Sequence, residues 1–235
     1  MTKPPAAVII GATGTVGRGI ARTLIAAGWT VIAAGRDGGK LAALKSELGA
    51  IVTVVGSVED DAAAARLAAA IRATGALPDA VITSINVPAA PRRLLDMSDE
   101  AFLELFRGNV STHFCAAKAL LPLLSENGRY IGLGGGMADF TLSGMGGVSI
   151  CQAAQRNLFR FLAQEYDGHG VSVVELMLYS HIVGPEAADS EEPRNIRADE
   201  VGQHVLAMLE RPGDFPGPIA ALKSRKQVGS PERVS

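Results

Sequence analysis

A glycine-rich turn between a predicted strand and a predicted helix places the strongest constraint on the fold of this chain. The apolar run 6–10 precedes Gly11, and a helical pattern covers residues 16–27, with further glycines at Gly14 and Gly17. Glycine permits a sharp turn and a close approach of the backbone to a ligand, and a helix start offers free N–H groups with a positive partial charge. This arrangement is typical of a site for the pyrophosphate of a dinucleotide. The residues expected to form it are Gly11, Thr13, Gly14, Thr15, Val16 and Gly17.

Short apolar runs alternate with helical patterns along the sequence. The runs are rich in Val and Ile and almost continuously apolar, as expected for strands buried on both faces of a parallel sheet. The predicted strands are residues 6–10, 30–34, 51–55, 80–85, 129–133, 171–177 and 219–222, and the predicted helices are residues 16–27, 40–48, 59–74, 98–124, 149–167 and 199–210. The alternation predicts an α/β fold: a single doubly wound, Rossmann-type domain over residues 1–235, with a seven-stranded parallel sheet and helices on both faces.

The stretch 180–197 interrupts this alternation. It is polar and contains Pro185 and Pro193. Its acidic residues are Glu186, Asp189, Glu191 and Glu192. Such a composition predicts an excursion or lid rather than a strand or a long helix.

Composition and charge argue against several classes of protein. The 235 residues carry a formal net charge of −2, which disfavours nucleic acid and anionic membranes as partners. The two cysteines, Cys115 and Cys151, lack the spacing of a metal site, so we expect no metal and no disulfide. No signal-peptide pattern opens the sequence, and no apolar run reaches the ~18 residues of a membrane span. We therefore expect a cytoplasmic protein that binds a small-molecule ligand or substrate.

The end of the second predicted strand bears on the choice of cofactor. An acidic residue about 20 positions beyond the glycine turn usually binds the adenosine ribose and selects NAD. This chain has Gly35 at that place, followed by Arg36, whose guanidinium can pair with the 2′-phosphate of NADP. Asp37 comes next and keeps NAD(H) as the alternative. The sequence therefore predicts NADP(H) as the cofactor.

These features resemble the short-chain dehydrogenase/reductase family over nearly the whole length of the chain. The glycine turn has the family's position and length. The segment 79–86 lies where the family has its fourth strand and an Asn-Asn-Ala-Gly motif, and Asn109 stands where it keeps a helix asparagine. The resemblance implies that Asn86 binds the cofactor. It also implies that Ser57 takes the place of an aspartate that contacts adenine in the family.

The catalytic residues depart from the family's pattern. The family uses Tyr-x-x-x-Lys and a serine: the tyrosine is the acid or base, the lysine lowers its pKa and holds the nicotinamide ribose, and the serine orients the carbonyl. Alignment places Val148 at the tyrosine, Gln152 at the lysine and Gly135 within the glycines of the serine site. Val148 cannot transfer a proton, and Gln152 has no charge to perturb a neighbouring acid. The adenine-phosphate half of the site is expected to be intact and the nicotinamide half rebuilt, with Gln152 among the residues that bind the cofactor.

Polar residues near the rebuilt half are candidates for a replacement catalyst. Tyr179 and His181 follow the sixth predicted strand, at the carboxyl edge where open α/β sheets bind ligands. Histidine can act as an acid or base near neutral pH, and Asn109 keeps the residue type of the family. The glycines at 134–136 either offer N–H groups to an oxyanion or leave room for a bulky ligand. His204 is interpreted as an ordinary surface residue.

Three functions remain open from the sequence. The first is an NADP(H)-dependent oxidoreductase that uses Tyr179, His181 or water as its acid. The second is a related enzyme without hydride transfer, such as an isomerase, dehydratase or cyclase, and the third is a non-catalytic NADP sensor or regulatory subunit. The family resemblance also implies a homodimer or homotetramer that pairs through helices 98–124 and 149–167. The second of these helices carries the apolar residues Leu158, Phe159, Phe161 and Leu162.

Overall fold

The computed structural model describes residues 3–184 and 195–231. In chain order its elements are β1 Ala6–Ile10, α1 Thr15–Ala26, β2 Thr30–Gly35, α2 Gly38–Leu48, β3 Ile51–Val55, α3 Asp61–Ala73, β4 Ala80–Thr83, α4 Asp99–Phe106, α5 Thr112–Leu120, β5 Arg129–Gly135, α6 Gly146–Glu165, β6 Ser172–Leu178, β7 Ile182–Val183, β8 Ile196–Arg197, α7 Ala198–Glu210 and β9 Ile219–Leu222. Seven strands form one sheet in the order β3-β2-β1-β4-β5-β6-β9, with every pair parallel. The predicted doubly wound, seven-stranded fold is confirmed.

Strand β1 lies inside the sheet, between β2 and β4. Ala7 pairs with Val31 on one side and Ala80 on the other, and all five residues of β1 are buried. The chain runs outward through β2 and β3, then returns across β1 to β4. This reversal opens a crevice at the carboxyl ends of β1 and β4, where open α/β sheets bind ligands.

Two apolar cores cover the two faces of the sheet. One core joins the strands to α1, α2 and α7, through Ile20, Leu24, Leu41, Val201 and Val205. The other joins them to α3, α5 and α6, through Leu67, Ile71, Leu120 and Phe159. Burial on both faces explains why the strands are almost continuously apolar, as the sequence pattern predicted. Within the described residues, no helix is both long and apolar enough to span a membrane.

Helices α1 and α7 meet at small residues. A Cβ on Gly19 would lie 2.3 Å from the backbone of Ala198, and a Cβ on Gly202 would lie 2.3 Å from Oγ1 of Thr23. Close contact of this kind leaves no space for larger side chains. Helix α1, which follows the glycine turn, is therefore held firmly by α7.

The predicted helix over residues 98–124 is present as an unbroken run of helical turns over residues 99–123, but it is not a regular α-helix. Helix α4 is followed by a π-helical segment, Arg107–Ser111, before α5 begins, and a short 3₁₀ turn, Leu121–Leu123, follows α5. A Cβ on Gly108 would lie 2.8 Å from Cγ2 of Val87, so the segment presses directly on the chain beyond β4. This tertiary contact has no counterpart in the apolar periodicity.

Two further expectations are corrected by burial. Strands β7 and β8 form a short parallel pair at the two ends of the stretch 180–197, where no strand was predicted, because Ile196 is fully buried in the core with α7. The acidic residues Glu186, Asp189, Glu191 and Glu192 of that stretch lie outside the described residues, as do Pro185 and Pro193. His204 is fully buried rather than superficial, since α7 turns it toward Phe215, with 5.3 Å between the ring centroids.

Candidate functional site

The glycine turn closes tightly between β1 and α1. Gly11 has a φ of +79°, and a Cβ there would lie 2.1 Å from the carbonyl oxygen of Ser84. A Cβ on Gly17 would lie 2.3 Å from the carbonyl oxygen of Gly11. Packing therefore demands glycine at both positions. A Cβ on Gly14 would meet only the Gly11 carbonyl oxygen, at 3.4 Å. Gly14 thus leaves the backbone open to a ligand at the start of α1.

The N-terminus of α1 is suited to an anion. Gly14 is its N-cap and provides no side-chain cap, and the first turn contains no acidic residue. Thr15, Val16 and Gly17 form that first turn, as the sequence placed them. N–H groups without an intrahelical partner and the helix dipole both favour a phosphate at this end.

A cavity of about 600 Å³ opens at the carboxyl ends of β1, β2, β3 and β4. Its volume lies within the usual range of small-molecule sites. The structure brings six predicted cofactor-binding residues into its wall: Gly11, Thr13, Gly14, Arg36, Ser57 and Asn86. Residues from four separate strand ends thus converge on one cavity, and this convergence depends on the order of the strands.

Arg36 lies on the wall of this cavity at the end of β2. It is exposed, and it makes no ion pair with any described residue. Asp37 instead serves α2, because its carboxylate accepts a hydrogen bond from the backbone N–H of Lys40 at 3.0 Å. The carboxylate that kept NAD as an alternative is therefore engaged as a helix cap.

The cavity has a second wall that sequence reasoning missed. Glu104, Arg107, Gly108 and Thr112 line it from the end of α4, the π-helical segment and the first residue of α5. No motif marks these residues, and a regular helix over 98–124 gave no reason to select them. The π-helical turn, which is often found at functional sites, is the only signal, and it appears in the backbone alone.

Asn109 lies in this segment but faces away from solvent. It is 8% exposed, and its side chain clamps Val87: the amide oxygen accepts from the Val87 N–H at 2.8 Å, and the amide nitrogen donates to the Val87 carbonyl at 3.2 Å. The amide nitrogen also lies 3.0 Å from the carbonyl oxygen of Leu105. In this structure Asn109 therefore positions the chain after β4.

Gln152 and Gly135, which the sequence aligned with the family's lysine and serine, are neighbours in the structure. A Cβ on Gly135 would lie 2.4 Å from Nε2 of Gln152, so the glutamine amide fills the space where a side chain at position 135 would begin. Oε1 of Gln152 is buried and accepts no hydrogen bond from the described residues. Val148 lies one turn earlier on α6. The side chain at position 152 and the glycine at position 135 thus depend on each other sterically.

Tyr179 and His181 differ in their surroundings. The Tyr179 hydroxyl donates to the Asp139 carboxylate, which also pairs with Arg156. These two hydrogen bonds, the one from Tyr179 first, hold the pKa of Asp139 below its ordinary value. The Tyr179 ring covers Gly136, and His181 is exposed. The tyrosine therefore ties the loop after β5 to β6 and α6.

The glycines of residues 134–136 make room for protein side chains. Gly134 faces the carboxyl group of Glu175, and a Cβ there would lie 2.3 Å from Oε1. Glu175 is fully buried, and neither of its oxygens has a hydrogen-bond partner among the described residues. Burial raises the pKa of Glu175 to about 8, although Arg156 and Arg160 act in the opposite direction. The protonated form of the Glu175 carboxyl group, which lies against Gly134, is therefore favoured at neutral pH.

His113 lies beneath the crevice in a closed environment. It is fully buried between Thr83, whose Oγ1 is 3.3 Å from Nδ1, and the carbonyl oxygen of Ile85, 3.2 Å from Nε2. Burial lowers the pKa of His113 to about 4, so the ring is neutral at physiological pH. In the described part of the chain, no group of three or more His, Cys, Asp or Glu side chains is arranged to hold a metal ion.

Comparisons with known proteins agree with this architecture. A family model described as Enoyl-(Acyl carrier protein) reductase matches residues 11–215. The 3-oxoacyl-[acyl-carrier-protein] reductase FabG of Escherichia coli (strain K12) is 24% identical over 197 residues, which cover 83% of this chain and 78% of that protein.

Two solved structures share the fold at low identity. An alcohol dehydrogenase from the archaeon Thermococcus sibiricus, complexed with 5-hydroxy-NADP, is 22% identical with a TM-score of 0.79, covering 94% of this chain and 97% of that one. A short chain oxidoreductase from Pseudomonas aeruginosa PAO1, described as containing an atypical catalytic center, is 19% identical with a TM-score of 0.81, covering 93% and 94%. With a family model that covers most of its length, this chain belongs to the short-chain dehydrogenase/reductase family.

Proposed function

We propose that this protein binds NADP(H) in the cavity at the carboxyl ends of β1 to β4, and that it is an oxidoreductase whose standard Ser, Tyr and Lys are replaced by Gly135, Val148 and Gln152. The observation that carries the proposal is the placement of Arg36 and the glycine turn on the wall of one cavity. A cation for the 2′-phosphate and a helix start for the pyrophosphate are the two groups that this cofactor requires.

The residues present fit an NADP molecule. Gly14 leaves open backbone at the start of α1, Arg36 has no competing ion pair among the described residues, and Ser57 and Asn86 line the adenosine side. Gln152, which the sequence assigned to the cofactor, does not line this cavity, and its buried Oε1 has no hydrogen-bond donor among the described residues. When bound, the nicotinamide supplies the hydride, and the chain's own residues bind and orient it.

A second candidate function follows from the replaced residues. The proposed site lacks the tyrosine that acts as the acid and the charged lysine that assists it. Such a site is compatible with a reductase, with an enzyme that converts its ligand without hydride transfer, and with an NADP sensor. The Pseudomonas aeruginosa protein is described as an oxidoreductase although its catalytic center is atypical. An altered site therefore does not exclude an enzymatic function. Cofactor binding without turnover indicates the sensor, and substrate conversion without oxidation of NADPH indicates the non-redox enzyme.

Replacement of Arg36 by alanine is expected to weaken NADP binding by about 10- to 150-fold and to leave NAD binding unchanged. The loss of a charge-assisted contact to a phosphate costs about 1.5–3 kcal/mol. Isothermal titration of both cofactors against wild type and Arg36→Ala measures this difference. The matched control is Arg66→Ala, an exposed arginine on α3 that does not line the cavity. Equal affinity of the wild type for NAD and NADP would reject the assignment of Arg36.

We also expect the protein to self-associate through α5 and α6. Phe114 on α5 and Phe161 on α6 are 48% and 56% exposed, an unusual exposure for two phenylalanines of a monomer. Phe159, which the sequence grouped with this apolar surface, instead packs fully buried against the sheet. The double variant Phe114→Asp/Phe161→Asp should sediment as a monomer, whereas the wild type sediments as a dimer or tetramer.

The control for this experiment is Leu95→Asp, because Leu95 is 90% exposed and lies outside both helices. It should retain the assembly of the wild type. A wild-type monomer at micromolar concentration in sedimentation velocity would contradict the prediction.

A further inference from the structure

His113 is a fully buried titratable side chain that does not line the cofactor cavity and is not among the replaced catalytic residues. It is the second residue of α5, and the edge of its ring meets Phe159 in the core, with 6.0 Å between the ring centroids. A polar ring in such surroundings is costly unless hydrogen bonds satisfy its nitrogens. Both nitrogens of His113 have a partner, and both partners belong to the chain at the end of β4, Thr83 and Ile85.

These partners determine which nitrogen of His113 carries the proton. The carbonyl oxygen of Ile85, 3.2 Å from Nε2, can only accept a hydrogen bond, so Nε2 must be the donor. Burial lowers the pKa of His113 to about 4, so the ring is neutral and Nδ1 has no proton at physiological pH. Nδ1 therefore accepts from the Thr83 hydroxyl, at 3.3 Å. The single N–H of the ring is thus given to the backbone beyond β4.

His113 and Asn109 together take the place of a neighbouring strand. The pairing of β4 with β5 ends at Thr83, so β5 offers no hydrogen bonds to the residues that follow. The next backbone groups on that side are bound by the two side chains instead. His113 donates to the Ile85 carbonyl, and Asn109 binds both the N–H and the carbonyl of Val87, at 2.8 and 3.2 Å. The segment beyond β4 is therefore held along its helix side at two successive points.

This arrangement leaves the backbone of Asn86 facing the cavity. In an extended chain the backbone groups of successive residues point to opposite sides. The Ser84 N–H donates to the Ile10 carbonyl at 2.9 Å, toward β1, whereas the carbonyls of Ile85 and Val87 are bound on the helix side. The same alternation directs the N–H and carbonyl of Asn86 toward β1 and the glycine turn. Neither group has a partner among the described residues, and Asn86 lines the cavity.

We infer that His113 is a positioning residue for cofactor binding, which acts through its hydrogen bond to the Ile85 carbonyl and so fixes the orientation of Asn86. The inference rests on the proposed function, since the positioned residue lines the cavity assigned to NADP(H). It separates the two contacts of the ring. The contact from Nε2 to Ile85 positions the cavity wall, whereas the contact from Nδ1 to Thr83 only orients the ring.

Two amide substitutions of His113 test this separation. His113→Gln keeps an N–H donor near the place of Nε2, and His113→Asn keeps a polar group only near the place of Nδ1. Calorimetric titration of NADP should show that His113→Asn binds about 3- to 30-fold more weakly than the wild type, the usual range for a residue that acts through another. His113→Gln should restore most of the affinity. Thermal unfolding of the free variants shows whether the two substitutions cost the same stability.

The matched control is Thr83→Val, which removes the other partner of the ring and leaves the Ile85 contact in place. Thr83 is fully buried and does not line the cavity. This variant should lose stability, because Nδ1 of His113 is left without a donor, and should bind NADP as the wild type does. Equal affinity in His113→Asn and wild type would overturn the inference. An equal loss in His113→Gln, or in Thr83→Val, would also overturn it.

Hydrogen exchange of the free protein tests the positioning without any ligand. The amides of residues 84–87 should exchange faster in His113→Asn than in the wild type and should keep the wild-type rate in His113→Gln. The amides of β1 serve as the internal reference and should be unchanged in both variants. Unaltered exchange of residues 84–87 in His113→Asn would reject the positioning role. A wild type that binds no NADP would instead reject the proposed function, and the exchange rates would still decide whether His113 holds this segment.

Discussion

Replacement of Glu175 by glutamine is expected to remove a contribution that destabilises the wild type as the pH rises from about 5 to about 8. Burial raises the pKa of Glu175 from 4.5 to about 8 in the folded protein, so the fold binds the protonated form more tightly than the unfolded chain does. This contribution is fully present below the unfolded pKa and is lost as the pH rises through the folded value. A difference of this size corresponds to up to about 5 kcal/mol.

Urea unfolding at pH 5 and pH 8.5 measures the effect. The unfolding free energy of the wild type, taken relative to that of Glu175→Gln, should fall by several kcal/mol between these values, because the glutamine cannot ionise. His113, whose lowered pKa acts with the opposite sign, cancels in this difference. Glu165→Gln is the matched control, because Glu165 is exposed at the end of the neighbouring helix α6. A pH dependence that is the same in wild type and Glu175→Gln would show that this carboxyl group does not titrate in the fold.

The wild type is expected to reduce simple ketones with NADPH very slowly, and restoration of the family's residues is expected to raise the rate by about 100- to 10,000-fold. Hydride transfer to a carbonyl leaves an alkoxide that must gain a proton, and a positioned acid contributes a factor of that order. Val148 cannot donate the proton, and Gln152 cannot tune a phenol. The triple variant Val148→Tyr/Gln152→Lys/Gly135→Ser supplies the missing groups, provided that the pocket accepts the ketone.

The structure indicates the order in which these substitutions can be introduced. A serine Cβ at position 135 would lie 2.4 Å from the Gln152 amide, so Gly135→Ser alone must displace that side chain. We expect Gly135→Ser alone to gain no activity and Gly135→Ser/Gln152→Lys to tolerate the serine. Oxidation of NADPH over a panel of ketones measures each step, and a calorimetric titration of NADPH confirms that every variant binds it.

A fast wild type would contradict this prediction. Several turnovers per second with common ketones would mean that another group donates the proton. Tyr179→Phe and His181→Ala then identify it. The Tyr179 hydroxyl already donates a hydrogen bond to Asp139. Tyr179 can therefore protonate a substrate only if this hydrogen bond breaks. His181 is exposed, and its side chain makes no hydrogen bond with the part of the chain that the structure describes.

The sequence by itself determined the fold and the glycine-turn end of the cavity. Unbroken apolar runs require burial on both faces, which a parallel sheet covered by helices provides, and strands such as β1, β3 and β9 have the predicted bounds. The glycine turn is equally local, because Gly11 needs its φ of +79° and Gly17 needs close packing within the same short segment. Structural constraints that act between residues close in sequence can be recognised from the sequence pattern.

Only the tertiary structure decided the features that arise between distant segments. Arg107 faces the cavity because Val87, twenty residues earlier, meets Gly108 and Asn109 and because a π-helical turn forms there. Glu175 reaches no water because β5 and α6 cover it. In the sequence both residues are ordinary charged side chains. Their burial and their position on the cavity depend on which strands and helices become neighbours, and apolar periodicity carries no information about those neighbours.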